Sequence, residues 1–290
     1  MLSDLQIFSL VILGILGLTG SIMNSSIAAV YFRDFRKRIV LRACDKVLVT
    51  MSVTNVALQC LLMSDGILSC LKLQKLLLKK PYLLHIFIFY LLISINLWNT
   101  AWLSFCYCVR LVTFSNQLFN QLKIKLSSLI PMLLVGSVVV SVAVNTPYFF
   151  TIAFQSPQNV SDDFTNTMYY NSLPYNLSIG CIGPFFLTLI CIGFSVTVLL
   201  RHIWKINVFG TQCDRGKKLV KAAQTMVLLM FINSTFYIIN TVYAILKAWD
   251  SWQETVYLLN CSYPLAQAII IILGNPKLLA TWRRERQQTQ

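Results

Sequence analysis

Charged residues are scarce in this sequence, and acidic residues are scarcer than basic ones. Of its 290 residues only 12% are charged, with 10 Asp or Glu against 24 Lys or Arg. An ordinary soluble domain has about 25% charged residues, so the composition argues against a soluble globular enzyme. The 57% of apolar residues and the mean hydropathy of +0.67 indicate a membrane protein instead.

The residue groups that support catalysis or metal binding are also missing. The two histidines, His85 and His202, are far apart in the chain, and the nine cysteines include no Cys-x-x-Cys pair. No catalytic Ser/His/Asp or Cys/His arrangement can be assembled. No Asp or Glu falls in the middle of an apolar run, which disfavours ion-coupled transport. We therefore expect no enzyme, no cofactor and no metal.

Long apolar runs are what the sequence has in abundance. A membrane-spanning helix needs about 20 mostly apolar residues, and seven such runs account for most of the chain. The pattern predicts an all-α membrane protein, a seven-transmembrane helix bundle that forms a single domain over residues 1–290. The expected spans lie at about 5–32, 47–71, 81–114, 126–150, 177–200, 219–246 and 255–273.

The distribution of positive charge predicts the orientation of the bundle. Six basic residues lie between the first two spans, and the positive-inside rule places them in the cytoplasm. The N-terminus is then outside and the C-terminus cytoplasmic. Four lysines at 72, 75, 79 and 80 oppose this assignment, so a flipped or six-span topology stays open, although such lysines can reach lipid headgroups from helix ends.

The longest polar segment contains two candidate glycosylation sites. Asn159 and Asn176 each begin an Asn-x-Ser sequon. In the predicted orientation both sequons lie on the non-cytoplasmic side of the membrane, and glycosylation takes place on that side.

Polar and aromatic residues recur at helical spacing within two of the spans. In the sixth span Asn233, Tyr237 and Asn240 fall on one face, and in the third span Asn96 and Asn99 adjoin an aromatic stripe. The aromatic residues are Trp98, Trp102 and Phe105. These faces could enclose a ligand cavity, or they could serve as an interfacial aromatic belt and as amides that join helices.

Two distant motifs resemble the type 2 (bitter) taste receptors. The segment LSFCYCVR at 103–110, with FS at 114–115 and LK at 122–123, is similar to that family's helix-3 signature, L-x-x-F-Y-x-x-K followed by F-S and L-K. The segment GNPKL at 274–278 is similar to its helix-7 ending, H-S-x-x-L-I-L-x-N-x-K-L. The chain resembles a divergent member, because several positions depart from the family pattern. Asn55 replaces an Arg, Cys106 a Phe, Arg110 a Lys, Leu219 a His, and Gln267-Ala268 a His-Ser pair.

The resemblance implies a G-protein-coupled receptor of the plasma membrane that detects small bitter compounds. Its pocket would lie between the outer halves of helices 3, 5, 6 and 7. The implied ligand-binding residues are Trp98, Asn99, Trp102, Phe236, Tyr237, Asn240 and Tyr257.

The implied partners are a heterotrimeric G protein, with gustducin or another Gi-class alpha subunit, and membrane lipid, but no nucleic acid. Whether the protein forms homo-oligomers is left open. The residues expected to face the G protein are Arg110, Lys123, Lys125, His202, Lys218 and Lys221. Two alternatives remain at this point: a type 1 vomeronasal (pheromone) receptor, and a small membrane transporter.

Overall fold

Helices make up nearly all of the described structure. The computed structural model describes residues 4–70, 79–111, 117–155, 180, 182–198, 201, 214–245 and 253–288. No strand occurs within these ranges. The helices are α1 (Asp4–Arg36), α2 (Ala43–Cys70), α3 (Lys79–Leu111), α4 (Gln117–Gln155), α5 (Ile182–Val198), α6 (Asp214–Ile245), α7 (Gln253–Gly274) and α8 (Pro276–Gln288).

Apolar segments that can cross a membrane dominate these helices. Five helices in the described part of the chain (α1, α2, α3, α4 and α6) are long and apolar enough to span by themselves. A sixth candidate is the pair α7 and α8, which are bent by 96° where they meet, and α5 is a shorter apolar helix. A helix satisfies its own backbone hydrogen bonds, as a water-free hydrocarbon layer requires. The predicted all-α membrane class is confirmed.

Several helices extend past the spans predicted from hydropathy. α4 runs from Gln117 to Gln155, although its apolar stretch was placed at 126–150, and it contains Pro131 and Pro147. α1 likewise continues to Arg36 beyond the span at 5–32. Hydropathy marks the lipid-facing part of a helix, and the helix itself can continue into the headgroup region. The single-domain prediction and the orientation of the termini stay predictions.

One end of the bundle carries most of the described basic residues, and we call it the basic end. α1, α3 and α7 finish there, and α2, α4 and α6 begin there, as the contacts between them show. Lys46 Nζ donates to the Ser127 carbonyl at 2.7 Å, and Asn275 Nδ2 donates to Tyr31 Oη at 2.8 Å. The basic end is defined by Arg36, Lys46, Arg110, Lys123 and Lys221.

α8 is fastened to α1 at the basic end. The Lys277 ammonium pairs with the Asp34 carboxylate and lies 5.0 Å from the centre of the Tyr31 ring. Further along α8, Trp282 Nε1 donates to Ser26 Oγ at 3.2 Å. Polar contacts at the surface and an indole near the core therefore fix the direction in which the chain leaves the bundle.

Two large apolar clusters form most of the core, and one of them lies nearer the basic end than the other. The cluster nearer the basic end includes Ile27, Met51, Leu103, Leu229 and Ile271, and the second cluster includes Leu13, Leu58, Ile93, Phe236 and Tyr263. Large apolar side chains on the outer face of α4, such as Met132 and Val139, are exposed. Exposure of this kind suits a surface covered by lipid.

Gly274 permits the close approach of α6 and α7, and its substitution should separate them. A Cβ atom there would overlap the side chain of Thr225, which is β-branched, buried and hydrogen-bonded to the Lys221 carbonyl. We expect Gly274→Ala to cost about 1–3 kcal/mol through overpacking. The matched control is Gly136→Ala in α4, where nothing lies within 4 Å of the new atom. Melting of both variants in detergent, followed by size-exclusion chromatography, measures the difference; equal behaviour would contradict the packing.

Candidate functional site

A layer of buried amides crosses the bundle between the two apolar clusters. Asn55 Nδ2 donates to Asn24 Oδ1 at 3.1 Å, and Asn96 Nδ2 donates to Asn55 Oδ1 at 2.6 Å and to Gln267 Oε1 at 3.1 Å. All four side chains are fully buried. The hydrogen bonds join α1, α2, α3 and α7, and every group in them is uncharged.

The same layer continues to α6 through α7. Gln267 Nε2 donates to Asn233 Oδ1 at 2.8 Å and lies 2.8 Å from Tyr263 Oη, which itself donates to Asn233 Oδ1 at 2.7 Å. Asn24 Nδ2 also donates to the Pro264 carbonyl, at 3.1 Å. We call this set the polar layer: Asn24, Asn55, Asn96, Asn233, Tyr263 and Gln267.

Two departures from the taste-receptor pattern meet in the polar layer. Asn55 and Gln267 stand where the resemblance led us to expect Arg and His, and both accept a hydrogen bond from Asn96. An Arg at position 55 would bring a charge into a buried site, and a buried charge is costly unless it is paired. Neutral amides at both positions avoid that cost, since each can donate and accept.

The third helix directs its candidate ligand residues toward three different neighbours. Trp98 stacks on Trp102, with ring centres 5.6 Å apart and an angle of 22°. The Trp98 ring also faces α5, where a Cβ atom at Gly183 would lie 3.4 Å from it. Trp102 Nε1 donates to Ser137 Oγ of α4 at 2.6 Å, and Asn99 Nδ2 lies 3.5 Å from Thr54 Oγ1 of α2. Of these residues, Trp98 is the one that faces α5.

The candidate residues of α6 lie against α7. Phe236 is buried and stacks on Tyr263, with ring centres 4.2 Å apart. Asn240 and Asn260 exchange hydrogen bonds of 2.9 and 3.0 Å. Tyr237 is half-buried beside the same cluster. Tyr257 belongs to α7, but its side chain lies outside the described residues. The structure therefore groups Trp98 with Trp102 on α3, and Phe236 with Asn240 on the side of α6 that contacts α7.

Sequence reasoning missed three residues of the interior: Asn24, Asn260 and Tyr263. Asn260, Tyr263 and Gln267 recur at steps of three and four in α7, so the spacing that identified the polar face of α6 would have found them too. Asn24 lies in the apolar middle of α1, where no second amide repeats at helical spacing near it. The signal that could have identified Asn24 is the free-energy cost of an unpaired amide in hydrocarbon, because a polar group there needs a partner.

The candidate G-protein contacts are partly described. Arg110, Lys123 and Lys125 are exposed at the basic end, and Lys221 is half-buried there. Lys218 belongs to α6, but its side chain lies outside the described residues. His202 and both sequon asparagines, Asn159 and Asn176, also lie outside them.

The fold and its buried polar layer define a multi-pass helical membrane protein. The family model described as taste receptor protein (TAS2R) matches residues 1–288, so the chain belongs to the TAS2R family of taste receptors. That class of receptor is not enzymatic, binds ligands and couples to G proteins. The recognition made from the helix-3 and helix-7 motifs is confirmed.

Individual relatives are distant but similar over nearly the whole chain. Taste receptor type 2 member 39 of Macaca mulatta is 26% identical, over 92% of this chain and 82% of its own length. Member 40 of Gallus gallus is 24% identical, over 93% of this chain and 91% of its own length. Member 119 of Mus musculus is 26% identical, over 96% and 84% respectively.

The polar layer should contribute measurably to stability. Asn96→Leu removes two donated hydrogen bonds and strands Asn55 Oδ1 and Gln267 Oε1, and a stranded buried acceptor costs about 1–3 kcal/mol. The matched control is Asn145→Leu in α4, because this buried amide donates to the Ser141 carbonyl of its own helix. We expect a clearly lower melting temperature in detergent for the Asn96 variant than for the control. Similar losses in both would count against the layer.

Proposed function

We propose that this protein is a G-protein-coupled receptor of the plasma membrane that detects small bitter compounds. The observation that carries the proposal is the TAS2R match along nearly the entire chain. It is supported by relatives that are named taste receptor type 2 in primates, mouse and chicken. The basic end faces the cytoplasm in this proposal, because positive charge is retained on that side of a membrane.

The proposed pocket lies between the halves of α3, α5, α6 and α7 that are farther from the basic end. Trp98, near the middle of α3, provides an aromatic wall toward α5 at the inner limit of this pocket, and Trp102, one turn nearer the basic end, supports it by stacking. Phe236, Tyr237 and the Asn240 amide provide the facing wall, and Tyr257 closes the pocket from α7. Asn99, which is bonded toward α2, positions α3 in this proposal and has less access to a ligand than Trp98.

The chemistry of this pocket favours varied, largely apolar ligands. Aromatic walls with few polar groups bind mainly through buried area, and they discriminate weakly between molecules of similar shape. Dissociation constants on the order of 1 μM, equivalent to roughly −8 kcal/mol, are the expectation for such a site.

A direct route leads from the proposed pocket to the polar layer. Phe236 stacks on the Tyr263 ring, and the Tyr263 hydroxyl donates to Asn233 in the same helix as Phe236. An agonist that alters the packing of Phe236 would therefore alter the hydrogen bonds between α6 and α7. An agonist can shift the populations of two receptor states only if it binds one state more tightly than the other. In this proposal that difference in agonist affinity arises at the contact between Phe236 and Tyr263.

The proposed G-protein surface is the basic end. Arg110, Lys123, Lys125 and Lys221 lie there, and the sequence places His202 and Lys218 nearby. Gustducin or another Gi-class alpha subunit is the proposed partner.

Intracellular calcium in cells that express the receptor with a taste-type chimeric Gα, challenged with a panel of bitter compounds, tests the proposal. A dose-dependent response that needs the Gα would support it. Silence across a broad panel, with surface expression confirmed, would contradict the proposed bitter specificity and favour a pheromone-type ligand.

Aromatic truncations test the pocket once an agonist is known. Trp98→Ala and Phe236→Ala should each raise the agonist EC50 at least about tenfold, equivalent to about 1.4 kcal/mol. The control is Phe231→Ala on the same helix as Phe236, where the ring is 67% exposed on the outer surface. Unchanged potency of Trp98→Ala at normal surface expression would remove this residue from the pocket.

Charge neutralisation tests the G-protein surface. We expect Lys123→Gln with Lys125→Gln to lower the maximal calcium response without changing agonist affinity, because both lysines are exposed at the start of α4. Arg283→Gln with Arg284→Gln on α8 is the matched pair of exposed cations; these arginines are not among the proposed G-protein contacts, so this pair should keep the full response. The proposal fails if the two pairs give the same response as the unmodified receptor.

Glycosylation tests the orientation. α4 begins at the basic end, so the segment that follows its far end should be extracellular if the basic end is cytoplasmic. Enzymatic deglycosylation should then increase gel mobility, and Asn159→Gln with Asn176→Gln should abolish that shift. A cytoplasmic location would be indicated by protease accessibility of the segment in sealed inside-out vesicles.

A further inference from the structure

Three sulfur-containing residues pack together in the half of the bundle toward the basic end, outside the proposed pocket. Cys108 of α3, Cys191 of α5 and Met226 of α6 form one buried cluster, with exposed fractions of 9%, 3% and 1%. The thiols of Cys108 and Cys191 are in polar contact, and Ser195 also contacts the Cys108 thiol. The proposed function uses none of these sulfur atoms.

The chemistry of the cluster suits a soft metal ion. Thiolate and thioether sulfurs select Cu(I), whereas zinc in structural sites is held by four ligands drawn from Cys, His and carboxylate side chains. Within the described residues, no group of three or more His, Cys, Asp and Glu side chains could hold a metal. Two thiols and one thioether fit the low coordination number of a monovalent soft ion.

The charge balance also favours a monovalent ion at this depth. When Cu(I) replaces the proton of one cysteine thiol, a sulfur–copper bond forms, an S–H bond breaks, and the proton leaves to solvent. The second thiol and the thioether then bind as neutral donors, and the copper stays Cu(I) throughout. The resulting complex is neutral, so it avoids the large cost of burying a net charge.

We propose that Cys108, Cys191 and Met226 form a binding site for Cu(I). The three ligands come from three helices, so the bound ion joins α3, α5 and α6. An ion that binds the folded state and not the unfolded state also raises the stability of the folded state.

A second thiol pair provides the control for the cluster. Cys44 and Cys106 are also in contact, but Cys44 lies beside the Arg110 guanidinium. That guanidinium also hydrogen-bonds to the Cys44 sulfur, so this ligand atom is already engaged by a cationic donor. We therefore expect the Cys44–Cys106 pair to stay without metal under conditions that load the three-sulfur cluster.

The test uses the reduced, purified full-length receptor in detergent, with Cu(I) buffered by excess bicinchoninate so that isolated thiols do not compete. We expect one copper per chain after desalting, with three sulfur neighbours in X-ray absorption. Cys108→Ser with Cys191→Ser should lose the copper, and Cys44→Ser with Cys106→Ser should retain it. Loss of a residue that only hydrogen-bonds to a metal ligand typically costs about 10- to 100-fold in metal affinity. Met226 is a direct ligand in this proposal, so Met226→Leu should weaken copper binding at least tenfold.

Met226→Leu keeps the test decisive if the double serine variant does not fold, because this exchange nearly conserves side-chain volume. Any copper that this variant still binds should have two sulfur neighbours in X-ray absorption. The proposal is overturned if copper persists in the folded Cys108/Cys191 variant, if it is lost from the Cys44/Cys106 variant, or if Met226→Leu binds copper with unchanged affinity and three sulfur neighbours.

Discussion

Hydrogen bonding among buried amides is the constraint on which the arrangement of the helices depends. In hydrocarbon an unpaired amide costs free energy that water cannot recover, so each amide needs a partner on its own helix or on a neighbouring one. Asn24, Asn55, Asn96 and Gln267 meet that requirement together, and they do so between the two large apolar clusters. Apolar packing alone leaves the rotation of each helix loosely specified, because lipid tails are as apolar as leucine. The amides select one rotation.

Much of the fold could be predicted from sequence because the membrane reduces the choice of structure. Long apolar runs must be helices, and each predicted span overlaps a described helix, although five of these helices are long and apolar enough to span by themselves. The ends were less predictable, as α4 shows, since nothing in hydropathy stops a helix at the lipid boundary. The inward face of α6 was also readable, because Asn233 and Asn240 repeat at helical spacing and both are buried.

The partners of individual side chains were not predictable, because they depend on which helix stands opposite. Asn99 and Trp98 are adjacent near the middle of α3, yet one is bonded toward α2 and the other faces Gly183 of α5. Adjacent helical residues point about 100° apart, so a polar pattern along one helix does not assign both to a single cavity. Trp102 shows the same limit, since its indole proton goes to Ser137 of α4.

The neutral character of the polar layer bears on how a receptor of this kind could change shape. A salt bridge between α6 and α7 would resist separation strongly in a low-dielectric interior, and breaking it would leave two uncompensated charges. Amides and a phenol can exchange partners with neighbours of the same kind, because each group both donates and accepts. Gln267 lies at the junction, bonded to α3 on one side and to α6 on the other. A displacement of Asn233 would therefore leave Gln267 with Asn96 and Tyr263 as partners, which keeps α7 in place while α6 moves.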